Sequence, residues 1–375
     1  MQLIEEIHNS PIQFVVAISG GGSDAVSQLL QVPGASRTLL ESVIPYSAAA
    51  LANFLGGAPD QACSEKTARA MAMASYLRAR ELQPNADSAS LAGISCTAAL
   101  ITDRQRRGLH SIHVGIQTCN STQSISVNLD KGLRTRTEEE TIACDLILNA
   151  IARICGSSQQ LPIDLTPEER VIHEQSTADH DLQTLFTGQI DCLRIAGEQA
   201  ASSAKTVFPG AFNPLHEGHQ QIARLASEIT GQETQLEICV VNVDKLPLDY
   251  MEMEYRIQRL ANEFPLWFTR APTFVEKALL FPGATFAVGT DTIIRIADPR
   301  YYDNEPEKCV TAIHAIAEQG CRFLVFGRDI KGKFLSLEEV VLPDALREIC
   351  DYVPESQFRM NISSTELRNR NKKQE

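Results

Sequence analysis

The run TVFPGAFNPLHEGHQQIARLA, residues 206–226, constrains this chain more than any other. A short apolar, strand-like segment meets Gly210 and the turn pair Asn213–Pro214, and a helical pattern follows. His216 and His219 fall at i and i+3 as that helix begins, so they share a face. Gly218 between them has no side chain, which lets a flat ligand or a phosphate come close to the backbone. In an open parallel sheet, ligands bind beyond the carboxyl ends of the strands, where the strand order reverses. A helix N-terminus at that place favours anions. One histidine alone would read as a polar residue on a solvated helix start. The full pattern, Gly-x-Phe-x-Pro-x-His-x-Gly-His, points to a site for a nucleoside polyphosphate.

With 375 residues the chain has room for two cores. The reading is α/β with two domains. Residues 1–156 form one α/β block, 157–203 a linker with bridging helices, and 204–375 a second block with a parallel sheet. QFVVAIS (Gln13–Ser19) reads as a strand, followed by a glycine turn and a helix in SDAVSQLLQV. Ser64 caps a helix through Glu81, and three strands follow, in ASLAGIS, HSIHVGIQT and SISVNL. TEEETIACDLILNAIARIC closes the block as an amphipathic helix, with acids in its first turn. Thr166 and Pro167 predict a helix start, and a second helix is expected over Leu182–Gln199. Beyond Lys205, strand candidates TVFP, QLEICVVNV, LWFTR, TFAVG and RFLVFG alternate with helical patterns, which implies a parallel sheet covered on both faces.

The net charge of −13 argues against a general nucleic-acid binder, which needs a basic surface. No segment reaches the roughly 20 apolar residues of a membrane helix, and no signal peptide is evident, so a cytoplasmic protein without a membrane partner is expected. The ten cysteines are scattered with no C-x-x-C pair, so no protein-bound metal site is expected and the thiols read as reduced.

A second stretch, NISSTELRNRN (residues 361–371), adds to the first. Ser363 and Glu366 make a capping-box pattern, which by itself needs only a well-capped helix. Ser364 and Thr365 add hydroxyl donors at the same end, and Arg368 adds a guanidinium one turn on. Such a set suits the β- and γ-phosphates of ATP.

GAFNPLHEGH and ISSTELR together resemble the two signature motifs of the HxGH nucleotidyltransferase superfamily. That superfamily includes nicotinamide and nicotinate mononucleotide adenylyltransferases, phosphopantetheine adenylyltransferase and glycerol-phosphate cytidylyltransferases. The resemblance spans about Lys205–Asn371 and implies a Rossmann-like fold. It implies attack of a substrate phosphate on the α-phosphorus of ATP, with His216, His219 and Lys245 catalytic. Gly210, Phe212, Gly218, Ser363, Ser364, Thr365 and Arg368 would hold ATP, and Mg²⁺ would travel with it. VNVDKLPLDYMEMEYRIQRL, FAVGTDTIIRIADPRYY and FLVFGRD resemble segments of the mononucleotide adenylyltransferases. They imply that Arg256, Gly289, Asp291 and Arg328 bind a pyridine mononucleotide. Lys245 could equally be a surface lysine and Asp291 a helix cap.

AISGGGSDAVSQLLQVPGAS, SVIPYS and CSEKTARAMA resemble the C-terminal domain of the CinA family, whose known members hydrolyse the amide of nicotinamide mononucleotide. Ser19 falls on that family's nucleophile and Tyr46 on its tyrosine. Ile18 replaces the acid before the serine, and Leu51 or its small neighbours replace the lysine. A serine without a base is not a nucleophile, so a degenerate deamidase is expected. It could bind a mononucleotide or serve to form a homo-oligomer. The overall expectation is an adenylyltransferase for NAD synthesis. The alternatives are a nucleotidyltransferase for another acceptor, such as phosphopantetheine, or for CTP, and a nucleotide sensor without turnover.

Overall fold

The computed structural model describes residues 1–103, 108–196, 204–241, 246–330, 333–335 and 337–359. They form a mixed α/β chain of two compact units, one of residues 1–187 with 242–253, the other of residues 188–241 with 254–375. Among the described residues no helix is long and apolar enough to cross a membrane.

The first unit contains α1 (Gln2–His8), β1 (Gln13–Ser19), α2 (Asp24–Gln31), β2 (Leu39–Val43), α3 (Ala48–Leu55), α4 (Glu65–Leu82), β3 (Leu91–Ala99), β4 (His110–Thr118), β5 (Ser121–Leu129), α5 (Arg136–Ile154), β6 (Ile172–Thr177) and α6 (His180–Thr187). Its sheet has the order β2-β1-β3-β4-β5-β6. β1 is parallel to β2 and β3, and the remaining neighbours are antiparallel. Strand residues alternate between faces. Phe14, Val16 and Ile18 pack with Ile7, Leu29, Ile147 and Ile151 on one side, and Ala17 packs with Leu51, Leu55 and Met71 on the other. Gly93 and Gly115 let α4 lie against the sheet: a Cβ there would sit 2.0 Å from the Ala72 carbonyl and 2.5 Å from that of Ala68. Ser64 caps α4, accepting the Thr67 N–H at 3.1 Å.

One predicted helix is not formed and another is cut short. After Thr166 the chain makes one turn and becomes β6, the edge strand beside β5. The capping contact exists, because Glu169 Oε2 accepts the Thr166 N–H at 2.9 Å. Glu169 is also drawn into an ion pair with Arg134 at 2.6 Å and accepts the Asp130 N–H. Pairing with β5 then wins over the local helix signal. The expected helix over Leu182–Gln199 ends as α6 at Thr187, because Gly188 takes a left-handed backbone, φ +82°. Cys192–Ala196 follow as β7. Residues 157–187 therefore complete the first unit rather than bridge two blocks with helices.

The second unit contains β7 (Cys192–Ala196), β8 (Thr206–Pro209), α7 (Glu217–Thr230), β9 (Thr234–Cys239), most of α8 (Tyr250–Leu260), β10 (Leu266–Thr269), α9 (Phe274–Leu280), β11 (Thr285–Gly289), α10 (Thr290–Ile296), α11 (Pro306–Glu318), β12 (Arg322–Phe326), β13 (Arg328–Ile330), β14 (Lys333–Leu335), α12 (Asp344–Glu348) and β15 (Cys350–Val353). The main sheet runs β15-β12-β11-β8-β9-β10-β7 and is parallel except for β7. Val207, Phe286, Val288, Phe323 and Val325 form its core with Phe281, Ile293, Ile313 and Ile316. This is a Rossmann-like order: successive strands step one way from β8 to β10, then the other way from β11 to β15, so the order reverses between β8 and β11.

Candidate active site

The reversal opens a gap in the sheet. β8 pairs with β9 as far as Pro209↔Glu237, and the Gly210 N–H extends that ladder to the Glu237 carbonyl at 2.9 Å. β11 pairs with β12 as far as Gly289↔Phe326. Between β8 and β11 the pairing stops earlier, at Val207↔Phe286. The carboxyl ends of these two strands therefore part, leaving Phe208–Gly210 on one lip and Ala287–Gly289 on the other.

The two histidines lie on the first lip. α7 starts at Glu217, and its N-cap is His216, an unusual cap because the imidazole takes the place of a hydroxyl or carboxylate. His216 Nδ1 accepts the Gly218 N–H at 3.1 Å. His219 Nδ1 reaches back to the His216 N–H at 3.4 Å, so the pair forms a capping box of imidazoles. The rings stack with centroids 3.7 Å apart. Phe212, held at φ +46°, meets His219 edge-on at 5.1 Å, and Phe208 lies 6.0 Å from the same ring. Gly210 is required by this packing: a Cβ would come within 2.7 Å of the Phe212 ring.

This environment decides the protonation state. Burial lowers the pKa of His216. Burial, then the neighbouring His216, pushes His219 down to about 3. Both rings are thus neutral near pH 7. A ring nitrogen that accepts a hydrogen bond carries no proton, so each ring holds its proton on Nε2. Two half-buried Nε2–H donors, fixed by their own backbone contacts, stand at the start of a fourteen-residue helix. Such a set suits an oxyanion or a phosphate. Gly218 is buried, and its N–H serves the His216 cap.

On the second lip Gly289 ends β11 and caps α10 without a side-chain bond, and Asp291 stands in the first turn of α10. Among the described residues no atom lies within 4 Å of a Cβ built on Gly289. Packing alone does not demand a glycine there. Arg256 is buried on the face of α8 that carries Met253 and Leu260. Arg328 opens the short β13–β14 hairpin directly after β12. Lys245, Ser363, Ser364, Thr365 and Arg368 lie outside the described residues.

Residues 207–370 match the cytidylyltransferase-like family. None of the curated proteins matches the chain. Among solved structures, the competence/damage-inducible protein CihA from Agrobacterium tumefaciens is 18% identical over 41% of this chain and 93% of its own, with a TM-score of 0.31.

The sequence-read residues of the first unit are placed as follows. Ser19 ends β1, buried, with its hydroxyl donating to the Pro45 carbonyl at 3.2 Å. The Tyr46 side chain is 72% exposed. Sequence reading missed Phe208 as the wall behind His219; its signal was an aromatic at the end of the strand that delivers the motif. It also missed Glu237, whose carbonyl receives Gly210. The Glu237 carboxylate is buried in an ion pair with Lys277 Nζ, 2.7 Å from each oxygen, and accepts the Thr269 hydroxyl.

Proposed function

We propose that the second unit of this chain is an adenylyltransferase that joins ATP to nicotinamide or nicotinate mononucleotide and releases pyrophosphate. One observation carries the reading: the stacked, neutral His216–His219 pair stands at the N-terminus of α7, on the lip of the gap where the strand order reverses. In this reaction a phosphate oxygen of the mononucleotide attacks the α-phosphorus of ATP. The bond from that phosphorus to the oxygen bridging the β-phosphate breaks, and its electron pair leaves with pyrophosphate. The protein contributes position and charge stabilisation rather than covalent chemistry. The Nε2–H groups of His216 and His219 donate to phosphate oxygens as charge moves onto the bridging oxygen. The Gly210 and Phe212 backbone shapes the phosphate side of the pocket. Lys245 adds positive charge near the α-phosphate, and Ser363, Ser364, Thr365 and Arg368 hold the leaving group.

Support for the acceptor comes from the second lip. The open space at Gly289 and the position of Asp291 suit a ribose lying against the start of α10, with Arg256 and Arg328 serving the acceptor phosphate. Mg²⁺ in this reading comes with ATP, where it neutralises phosphate charge while keeping most of its waters.

Pyrophosphate release by the full chain tests the reading, with ATP or CTP offered against nicotinamide mononucleotide, nicotinate mononucleotide, phosphopantetheine and glycerol phosphate. Turnover with ATP and a pyridine mononucleotide is expected. Turnover with CTP alone, or with another acceptor alone, would transfer the site to that substrate. ATP binding without turnover on any acceptor would make the chain a sensor.

A further inference from the structure

Beyond Val207 the lip that carries the histidines is held on one side only. β8 stops pairing with β11 at Val207↔Phe286, so Phe208–Gly210 hang on β9 alone. The last β9 residue to hold them is Glu237: it stands opposite Pro209, and its carbonyl accepts the Gly210 N–H at 2.9 Å. Glu237 is an odd residue for that place. β9 lies inside the sheet, between β8 and β10, and strands of a parallel sheet covered on both faces are built from apolar residues. Its neighbours Leu236 and Ile238 fit that rule, and both are buried. Glu237 is fully buried as well, and Lys277 on α9 is 5% exposed, with Nζ 2.7 Å from each carboxylate oxygen. The Thr269 hydroxyl on β10 donates to the same carboxylate. α9, β9 and β10 are thus tied together at the residue from which the lip hangs.

Stability alone does not call for this arrangement. Taking two charges out of water can cost as much as their attraction returns, and well-packed apolar side chains of similar volume often hold as well or better. What the pair adds is direction. A carboxylate that accepts from one ammonium through both oxygens, and from a hydroxyl besides, has one place to be, whereas apolar contacts are non-directional. From Glu237 that position passes on through contacts. Gly210 hangs from the Glu237 carbonyl and lies against the Phe212 ring, which a Cβ on Gly210 would meet at 2.7 Å. The Phe212 ring meets His219 edge-on at 5.1 Å, and His219 stacks on His216.

The geometry points to Lys277 as a positioning residue for adenylyl transfer: by pinning Glu237 it fixes where the Phe208–Gly210 lip stands, and with it Phe212 and the His216–His219 pair. This rests on the phosphate-binding role given to the histidines above. Lys277 acts through β9 rather than on substrate.

Two variants of the full chain test it, Lys277→Met and the double variant Glu237→Met with Lys277→Met. The single change strands a buried carboxylate and should lower Tm and transfer together. The double change removes both charges at similar volume, so its Tm should return most of the way to that of wild type. Transfer should not return. With ATP and nicotinamide mononucleotide, the single-turnover rate of the double variant is expected to stay about tenfold or more below wild type, because misplacement of a reacting group by about an ångström has that order of effect or larger. KM for ATP should stay within about threefold, as for donors whose work is done in the transition state. Two readouts need no turnover. In the double variant the Gly210 amide should exchange faster, and the pKa of the His219 ring, followed by NMR, should move up from about 3 toward 6.5 as Phe212 leaves it. If Lys277→Met does not fold, the double variant carries the comparison. Recovery of Tm and transfer together in the double variant would overturn the proposal and leave the pair a structural one. Absence of turnover in the wild-type chain would instead count against the assigned reaction. Amide exchange and the His219 titration then decide, and wild-type values of both in the double variant would overturn the positioning role.

Discussion

Each unit has a strand that runs into glycine and then into a helix N-terminus, and the two junctions are satisfied differently. In the first unit β1 ends at Ser19, Gly20–Gly22 follow, and α2 begins. Glu140 from α5 fills this turn: its Oε1 accepts the N–H groups of Gly22 and Ser23 at 2.8 Å each and the Ser23 hydroxyl at 3.1 Å. Arg136 closes the other side by donating to the Gly20 carbonyl at 2.7 Å. In the second unit β8 ends at Pro209, and α7 is capped by its own imidazoles through their Nδ1 atoms. Backbone N–H groups at such a junction always find an acceptor. Where the chain's own carboxylate is that acceptor, the junction repels a second anion. Where a neutral ring is the acceptor, the junction carries no such negative charge. The same strand–glycine–helix signal thus reads as structure in one half and, in the function proposed, as a phosphate site in the other.

The strongest break of this comparison is His219→Ala. Loss of one such preorganised donor costs about 10²–10³ in turnover, so single-turnover adenylyl transfer should fall by at least that order while the chain stays folded. Near-normal transfer would remove His219 from the mechanism. Glu140→Ala should do the opposite. It strips an ionised acceptor from three donors and should lower first-unit stability by about 2–3 kcal/mol, read by denaturant melts, with KM and kcat for transfer unchanged. A fall in kcat comparable to that of His219→Ala would mean that the first junction belongs to the catalytic machinery. Gly210→Ala places a methyl against the Phe212 ring and should destabilise by about 1–3 kcal/mol. Gly289→Ala meets open space among the described residues and should melt like wild type. Equal losses of stability in the two would contradict the packing described for Gly210.

A further effect is in pH. His219 is pushed down from 6.5 to about 3 by burial, so folding favours its neutral form. The unfolded chain binds the extra proton between those values, and stability contributed by the neutral ring is full above pH 6.5 and fades as pH falls toward 3. Wild type should therefore lose more stability than His219→Gln between pH 7 and 5. Parallel losses would mean that the ring is not held neutral.

Much of the framework was legible because it is local. β1, the Ser64 cap of α4, the helix of TEEETIACDLILNAIARIC, and the strands that deliver Gly210 and Gly289 all follow from periodicity, charge placement and capping residues. The histidine pair was legible because its spacing and its neighbours lie within one short run. What escaped depends on distant partners. IHEQST becomes β6 only because β5 offers an edge, and CLRIA becomes β7 only because β10 does. Glu237 and Lys277 stand 40 residues apart, and nothing near either one announces the other. The imidazole capping box is a finer case: the residues were read correctly as a shared face, but their use as cap acceptors, and hence the Nε2 tautomer, needed the backbone.

The most direct test of the central claim is a crystal structure of the full chain with a non-hydrolysable ATP analogue and Mg²⁺. The account predicts the triphosphate at the start of α7, between the ends of β8 and β11, with Nε2 of His216 and His219 in hydrogen-bond reach and residues 363–368 closing on the β- and γ-phosphates. A triphosphate seated elsewhere, or beside the histidines with residues 363–368 turned away from it, would contradict the account.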